Sequence, residues 1–165
     1  MIEPLGVLLL PSKLEEFELA DHARDLLAIP RVIALEPPRM RTPRFLREVI
    51  PVRTAKRLRF PGEPRVLVLY HPRQYPLARA LHARYEQAEL WYIRPGPAAL
   101  RVRDERESDE LTELDQLACA RATESRIVSQ LADSNELRER LRGRLHELEI
   151  ISWRPFVPAA RSRLA

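Results

Sequence analysis

The sequence predicts an α/β domain in three layers, a mainly parallel sheet of about six strands with helices on both faces. Three observations predict it. Short apolar runs recur at Gly6–Leu10, Val32–Leu35, Val66–Tyr70 and Leu90–Ile93. They are continuous rather than alternating, which is how strands buried on both faces read. The segments between them are long enough to cross back over a sheet, and two have helical spacing. A chain of 165 residues, 45% of them hydrophobic, suits one domain with a full core.

The clearest unit runs from Pro64 to Pro95. Val66–Tyr70 is a strand, Pro72 and Pro76 bracket a helix start, and Leu77, Ala80, Leu81 and Tyr85 lie at helical spacing. Leu90–Ile93 is the next strand, so the whole is a βαβ unit. A second such unit precedes it. Gly6–Leu10 ends at Pro11-Ser12, and Ser12 stands at capping-box distance from Glu15. Phe17, Ala20, Ala23, Leu27 and Ile29 give a helical face that Pro30 stops, and Val32–Leu35 follows.

Residues 39–63 leave alternatives open. Thr42-Pro43 could start a helix that Pro51 cuts short, Val52–Phe60 reads as an exposed strand or a short amphipathic helix, and Pro61-Gly62-Glu63-Pro64 reads as a turn. After the Pro95-Gly96-Pro97 loop a helix is expected from about Ser108, with Leu111, Leu114, Leu117 and Ala118 on one face. Arg126–Gln130 reads as a short strand. Asp133, with Glu136 three residues on, is expected to cap a helix lined by Leu137, Leu141, Leu145 and Leu148. Ile150–Trp153 reads as a final strand. Residues 1–158 then form a single Rossmann-like domain, and 159–165 a tail.

Composition narrows the function classes. A single cysteine, Cys119, excludes an intramolecular disulfide and a Cys-rich metal site, and reads as a small buried apolar residue. The four histidines lack a zinc spacing, and His22 and His82 read as surface residues of helices. His146, near a helix end, reads as structural. No Gly-rich phosphate loop occurs, so nucleotide binding through one is not expected, and the absence of a nucleophile elbow argues against an α/β-hydrolase; neither a cofactor nor a metal is expected. No run reaches a membrane span, and the start lacks a secretion signal, which sets a cytoplasmic expectation. The net charge of +4 is uneven: residues 39–65 hold nine Lys or Arg against Glu48 and Glu63, a local +7. Such a segment could rest on anionic lipid at a membrane periphery. Nucleic acid is a weak reading, since only Phe45 and Phe60 interleave with the charges.

Ligand sites in such sheets lie beyond the carboxyl ends of the strands. There the sequence places Glu36, His71, Arg73 and Arg94. His71 is the candidate catalytic residue, a general base or a phosphate contact. Glu36 could orient a ligand hydroxyl, and Arg73 and Arg94 could clamp a phosphate or carboxylate. All four are expected to face one cleft, with both arginines exposed enough that their loss leaves the melting temperature nearly unchanged.

Four segments in order resemble the N-terminal domain of two-domain, GT-B fold glycosyltransferases of the family-4-like group. These are Ala20–Arg24 leading into Arg31–Pro38 with its Glu-Pro-Pro end, Val66–Pro72 with Leu77–Tyr85, the aromatic-ended Leu90-Trp91-Tyr92, and Glu113–Ala120 before Ile127-Val128-Ser129. Ile150–Pro158 resembles the segment leading toward the second domain. The chain departs from the group at Ile93-Arg94-Pro95-Gly96, where acidic residues are usual, and at Gln130-Leu131-Ala132. The nucleotide-sugar-binding second domain has no counterpart in these residues. The resemblance implies an acceptor-side half, inactive alone, that works with a second domain or partner chain on a sugar or lipid-linked acceptor. The alternative is a non-catalytic interaction or scaffold module, its Leu-lined helix 134–148 packed on a partner.

Overall fold

The computed structural model describes residues 3–10, 20–35, 49–94, 104–127 and 131–153. Five strands, β1 (Pro4–Leu9), β2 (Val32–Leu35), β3 (Glu63–Leu69), β4 (Glu89–Arg94) and β5 (Glu124–Ile127), form one sheet in the order β2-β1-β3-β4-β5. Every neighbouring pair is parallel. Helices α1 (Ala20–Leu27) and α5 (Leu131–Trp153) pack on one face, and α2 (Val49–Arg57), α3 (Tyr75–Arg84) and α4 (Glu105–Arg121) on the other.

The pleat explains the two cores, since successive side chains of a strand point to opposite faces. Leu8, Val66, Val68, Trp91 and Ile93 meet α1 and α5, and Leu137, Leu141 and Leu145 of α5 close that side. Val7, Leu9, Leu67, Leu69, Leu90 and Tyr92 meet α2, α3 and α4. Gly6 lets α5 lie close over β1: a Cβ there would come within 3.3 Å of Val32 and 3.5 Å of Leu145. The indole N–H of buried Trp91 donates to Glu89, which also holds Arg144 of α5 at 2.6 Å.

Several elements differ from the sequence expectation. The sheet has five strands among the described residues rather than about six, because Ile150–Trp153 continues α5. Those residues are preceded by about five turns of helix whose leucines are already packed on the sheet, and propagation is easier than a new strand. Helix α5 starts at Leu131, so Asp133 lies within its first turn rather than capping it. Helix α4 starts at Glu105, three residues ahead of the expected Ser108, because the Asp104 carboxylate accepts from the N–H of Arg106. The strand expected at 126–130 runs Glu124–Ile127, and 128–130 lie outside the described residues, as do Ser12, Glu15 and Thr42-Pro43.

The open segment resolves as helix over Val49–Arg57, with Pro51 in its first turn where its missing N–H is tolerated. Glu63 and Pro64, expected in a turn, begin β3. Pro64 pairs with Leu5 at a register irregularity, and β4 joins β3 only from Val66 onward, so the absent donor faces no partner strand there.

Candidate functional site

In a sheet of order 2-1-3-4-5 the connections leave in opposite directions from β1 and β3, and ligands bind at the carboxyl edge between them. The chain leaves β3 there through Tyr70, His71 and the short 3₁₀ turn Pro72–Gln74, which runs into α3. Two side chains, through three hydrogen bonds, fix this turn. His71 Nδ1 accepts from the N–H of Arg73 at 3.2 Å, and Gln74 Oε1 accepts from the N–H groups of Tyr70 and His71, each at 3.1 Å. The spacing is a capping box with His and Gln in the usual Ser and Glu positions.

This turn changes the chemistry expected of His71. With Nδ1 engaged as an acceptor, the neutral ring carries its proton on Nε2. Any hydrogen bond made by Nε2 is then one it donates, so the neutral ring in this tautomer is set up as a donor and not as the general base the sequence suggests. Gln74 is 8% exposed, and its Nε2 has no acceptor among the described residues. A buried amide donor without a partner costs free energy in any apolar surrounding.

The two arginines do not form a joint clamp. Both turn to α4, Arg73 to Glu107 and Arg94 to Asp115. Those carboxylates stand eight residues apart on one helix, about 12 Å along its axis. Arg94 lies over the Tyr92 ring at 5.3 Å, and the Tyr92 hydroxyl donates to the same Asp115 at 2.6 Å. Burial works against the Arg94 charge, but the bond to Asp115 and its charge outweigh it and hold the guanidinium above its ordinary pKa. Burial, reinforced by Asp115, likewise raises the Tyr92 phenol. The Arg94 side chain is only 16% exposed, which corrects the expectation of a solvated arginine. Glu36 lies outside the described residues.

A second polar group on the other face of the sheet was missed. His22 of α1, expected on the surface, is 4% exposed. Its Nδ1 is 2.5 Å from the hydroxyl of buried Ser134 in the first turn of α5, and its ring meets Tyr70 edge-on at 6.0 Å. Burial lowers the His22 pKa, opposed by the charge of Asp25. Burial raises the Tyr70 phenol. The spacing His22, Leu26, Ile29 was the available signal, because i, i+4 and i+7 share one helix stripe. His82 bonds the carbonyl of Ala88 at 2.9 Å and closes the α3–β4 turn, while His146 is exposed on α5.

Among the described residues no three His, Cys, Asp or Glu side chains gather as metal ligands, and no helix is long and apolar enough to cross a membrane. No family model, no curated protein and no solved structure matches the chain.

Proposed function

We propose that this chain is the acceptor-side half of a sugar-transferring enzyme, binding an uncharged hydroxyl-bearing acceptor at the β1–β3 edge. Transfer then requires a donor-binding second domain or chain. The observation that carries the reading is the Tyr70–Gln74 turn. It offers an amide donor with no acceptor among the described residues, beside an imidazole whose Nδ1 is already engaged. The nearby arginines are matched by α4 carboxylates, so this edge is charge-compensated around the turn. A diphosphate needs uncompensated cations or a Gly-rich helix start. A neutral polyol needs directed donors and acceptors.

The test compares thermal stabilisation by neutral alkyl glycosides with that by nucleoside diphosphate sugars. The reading expects glycosides to raise the melting temperature and Gln74→Glu to abolish the rise. That change keeps an oxygen for the N–H groups of Tyr70 and His71, removes the amide donor and adds an acidic group, so a circular dichroism melt of the variant must first show that it stays folded. Stabilisation by nucleoside diphosphate sugars alone, or sugar transfer by the purified chain unaided, would overturn it. If neither ligand class binds, the non-catalytic interaction module is the better account.

A further inference from the structure

We propose that the layer α2–α3–α4 is a docking face for a second copy of this chain, related by a two-fold axis running along α3. Among the described residues the exposed large apolar side chains are Val52 on α2, 46% exposed, and Leu117 on α4, 44% exposed. Helix α3 lies between and touches both helices. Val52 borders an open depression of about 320 Å³ between α2 and α3, floored by Ala55, Ala80 and Ala83 and rimmed by Lys56 and Arg84. Small side chains on the floor leave room for a protruding one from a partner.

The charges of the two flanking helices are opposite. Helix α2 holds Arg53, Lys56 and Arg57 and no acid. Helix α4 holds six carboxylates against two arginines. Among the described residues, Arg53, Lys56 and Arg57 pair with no carboxylate, and Glu105, Asp109 and Glu113 pair with no cation. A two-fold rotation about an axis along α3 turns the layer over and sets α2 of one copy on α4 of the other. Each contact is then made twice and the assembly closes. Leu117 enters the α2–α3 depression, and the acidic flank meets the basic flank. An anionic membrane or nucleic acid wide enough to cover this layer would meet the α4 carboxylates, so a self-complementary partner fits better than a polyanion.

Sedimentation equilibrium of the purified chain tests this at about 10 to 200 μM, a range in which modest interfaces populate dimers. A dimer that weakens with added salt is expected. Leu117→Gln, which keeps helix propensity and removes the apolar knob, should weaken it at least about tenfold, since the loss occurs twice. Lys56→Glu alone and Glu113→Lys alone should each weaken it about two- to thirty-fold, and the double exchange should restore it. Circular dichroism melts of each variant verify that the exposed substitutions leave the fold intact. A chain that stays monomeric throughout, or a dimer indifferent to Leu117→Gln and to both exchanges, overturns the proposal. So does a monomer that binds vesicles of phosphatidylserine and phosphatidylcholine and loses them on Lys56→Glu. A Leu117→Gln variant that unfolds would be replaced by Val52→Gln, with the same expected weakening and the same refuting result.

Discussion

Replacing Arg94 by alanine should destabilise the fold by about 2 to 3 kcal/mol, although the sequence suggests a solvated edge arginine. Its side chain is 16% exposed and that of Asp115 is 19% exposed, so the pair sits between a surface bridge and a buried one. A surface bridge contributes at most about 1 kcal/mol, and breaking a fully buried pair costs about 3 to 5. After the substitution Asp115 keeps, among the described residues, only the Tyr92 hydroxyl, at 2.6 Å, and loses a charge-assisted bond worth about 1.5 to 3 kcal/mol. The cation over the Tyr92 ring is lost as well. Urea unfolding followed by tryptophan fluorescence and circular dichroism measures the change, with the slope unaltered. In a chain of this size the melting temperature should fall by roughly 4 to 12 °C. Asp115→Ala should cost a comparable amount, and the double variant less than the sum, since each single change strands the other charge. A loss below about 0.5 kcal/mol for Arg94→Ala, or strict additivity with Asp115→Ala, would refute the reasoning.

Arg73→Ala should change stability by no more than about 1 kcal/mol, because Arg73 and Glu107 are each 41% exposed; a loss twice as large in the same urea assay would contradict this. The buried His22 gives a pH dependence of known sign. Its folded pKa lies below the ordinary 6.5, so the unfolded chain binds the extra proton first. Stability is then full above that value and declines as pH falls through it, with a slope of up to about 1.4 kcal/mol per pH unit. The slope between neutral pH and mild acid should flatten in His22→Gln, and an unchanged slope in that variant would assign the effect elsewhere. Gly62→Ala should cost about 1 to 3 kcal/mol, since its Cβ would fall 2.4 Å from the Glu3 carbonyl oxygen that binds the N–H of Glu63; a wild-type midpoint would show that the β1–β3 entry yields.

The central strands β1, β3 and β4 were legible because burial on both faces leaves mostly apolar residues in them, whereas β5, with Glu124, Ser125 and Arg126, carries no such run. Val66–Leu69 and Leu90–Ile93 have no solvent side to encode, and their continuous apolar runs survive any reading frame. What followed Trp91 and Tyr92 was harder. Whether Arg94 points into water or back over Tyr92 depends on Asp115, far along the chain, and no local pattern carries that pairing. The edge turn was half legible. Its position after β3 and its prolines were readable, but the cap depends on His71 and Gln74 standing where Ser and Glu are usual. The apolar spacing Ala20, Ala23, Leu27 suggests a stripe that leaves His22 on the surface, whereas the buried stripe runs through His22, Leu26 and Ile29. At the end of the chain Ile150–Trp153 has strand composition, yet the helix before it simply continues. Composition gives preference, and the packed turn upstream overrides it.

The position of β1 has a consequence for how the chain can be made. It precedes the other described strands along the chain and yet lies second in the sheet, between β2 and β3. Its partner on one side arrives soon, at Val32, but the other side waits until Glu63 has left the ribosome. Until then, Val7 and Leu9 on one flank and Leu8 on the other have no complete layer to bury them. The emerging β1–α1–β2 segment therefore presents an open strand edge until β3 follows, and its apolar faces stay uncovered until the later helices, α5 last, have been made. Pairing β1 with β3 must also close that long loop, an entropic cost that grows only slowly with its length. Slow translation before β3 would lengthen this exposure and favour capture by chaperones, whereas slow translation after Leu69 would find the central strand pair already formed.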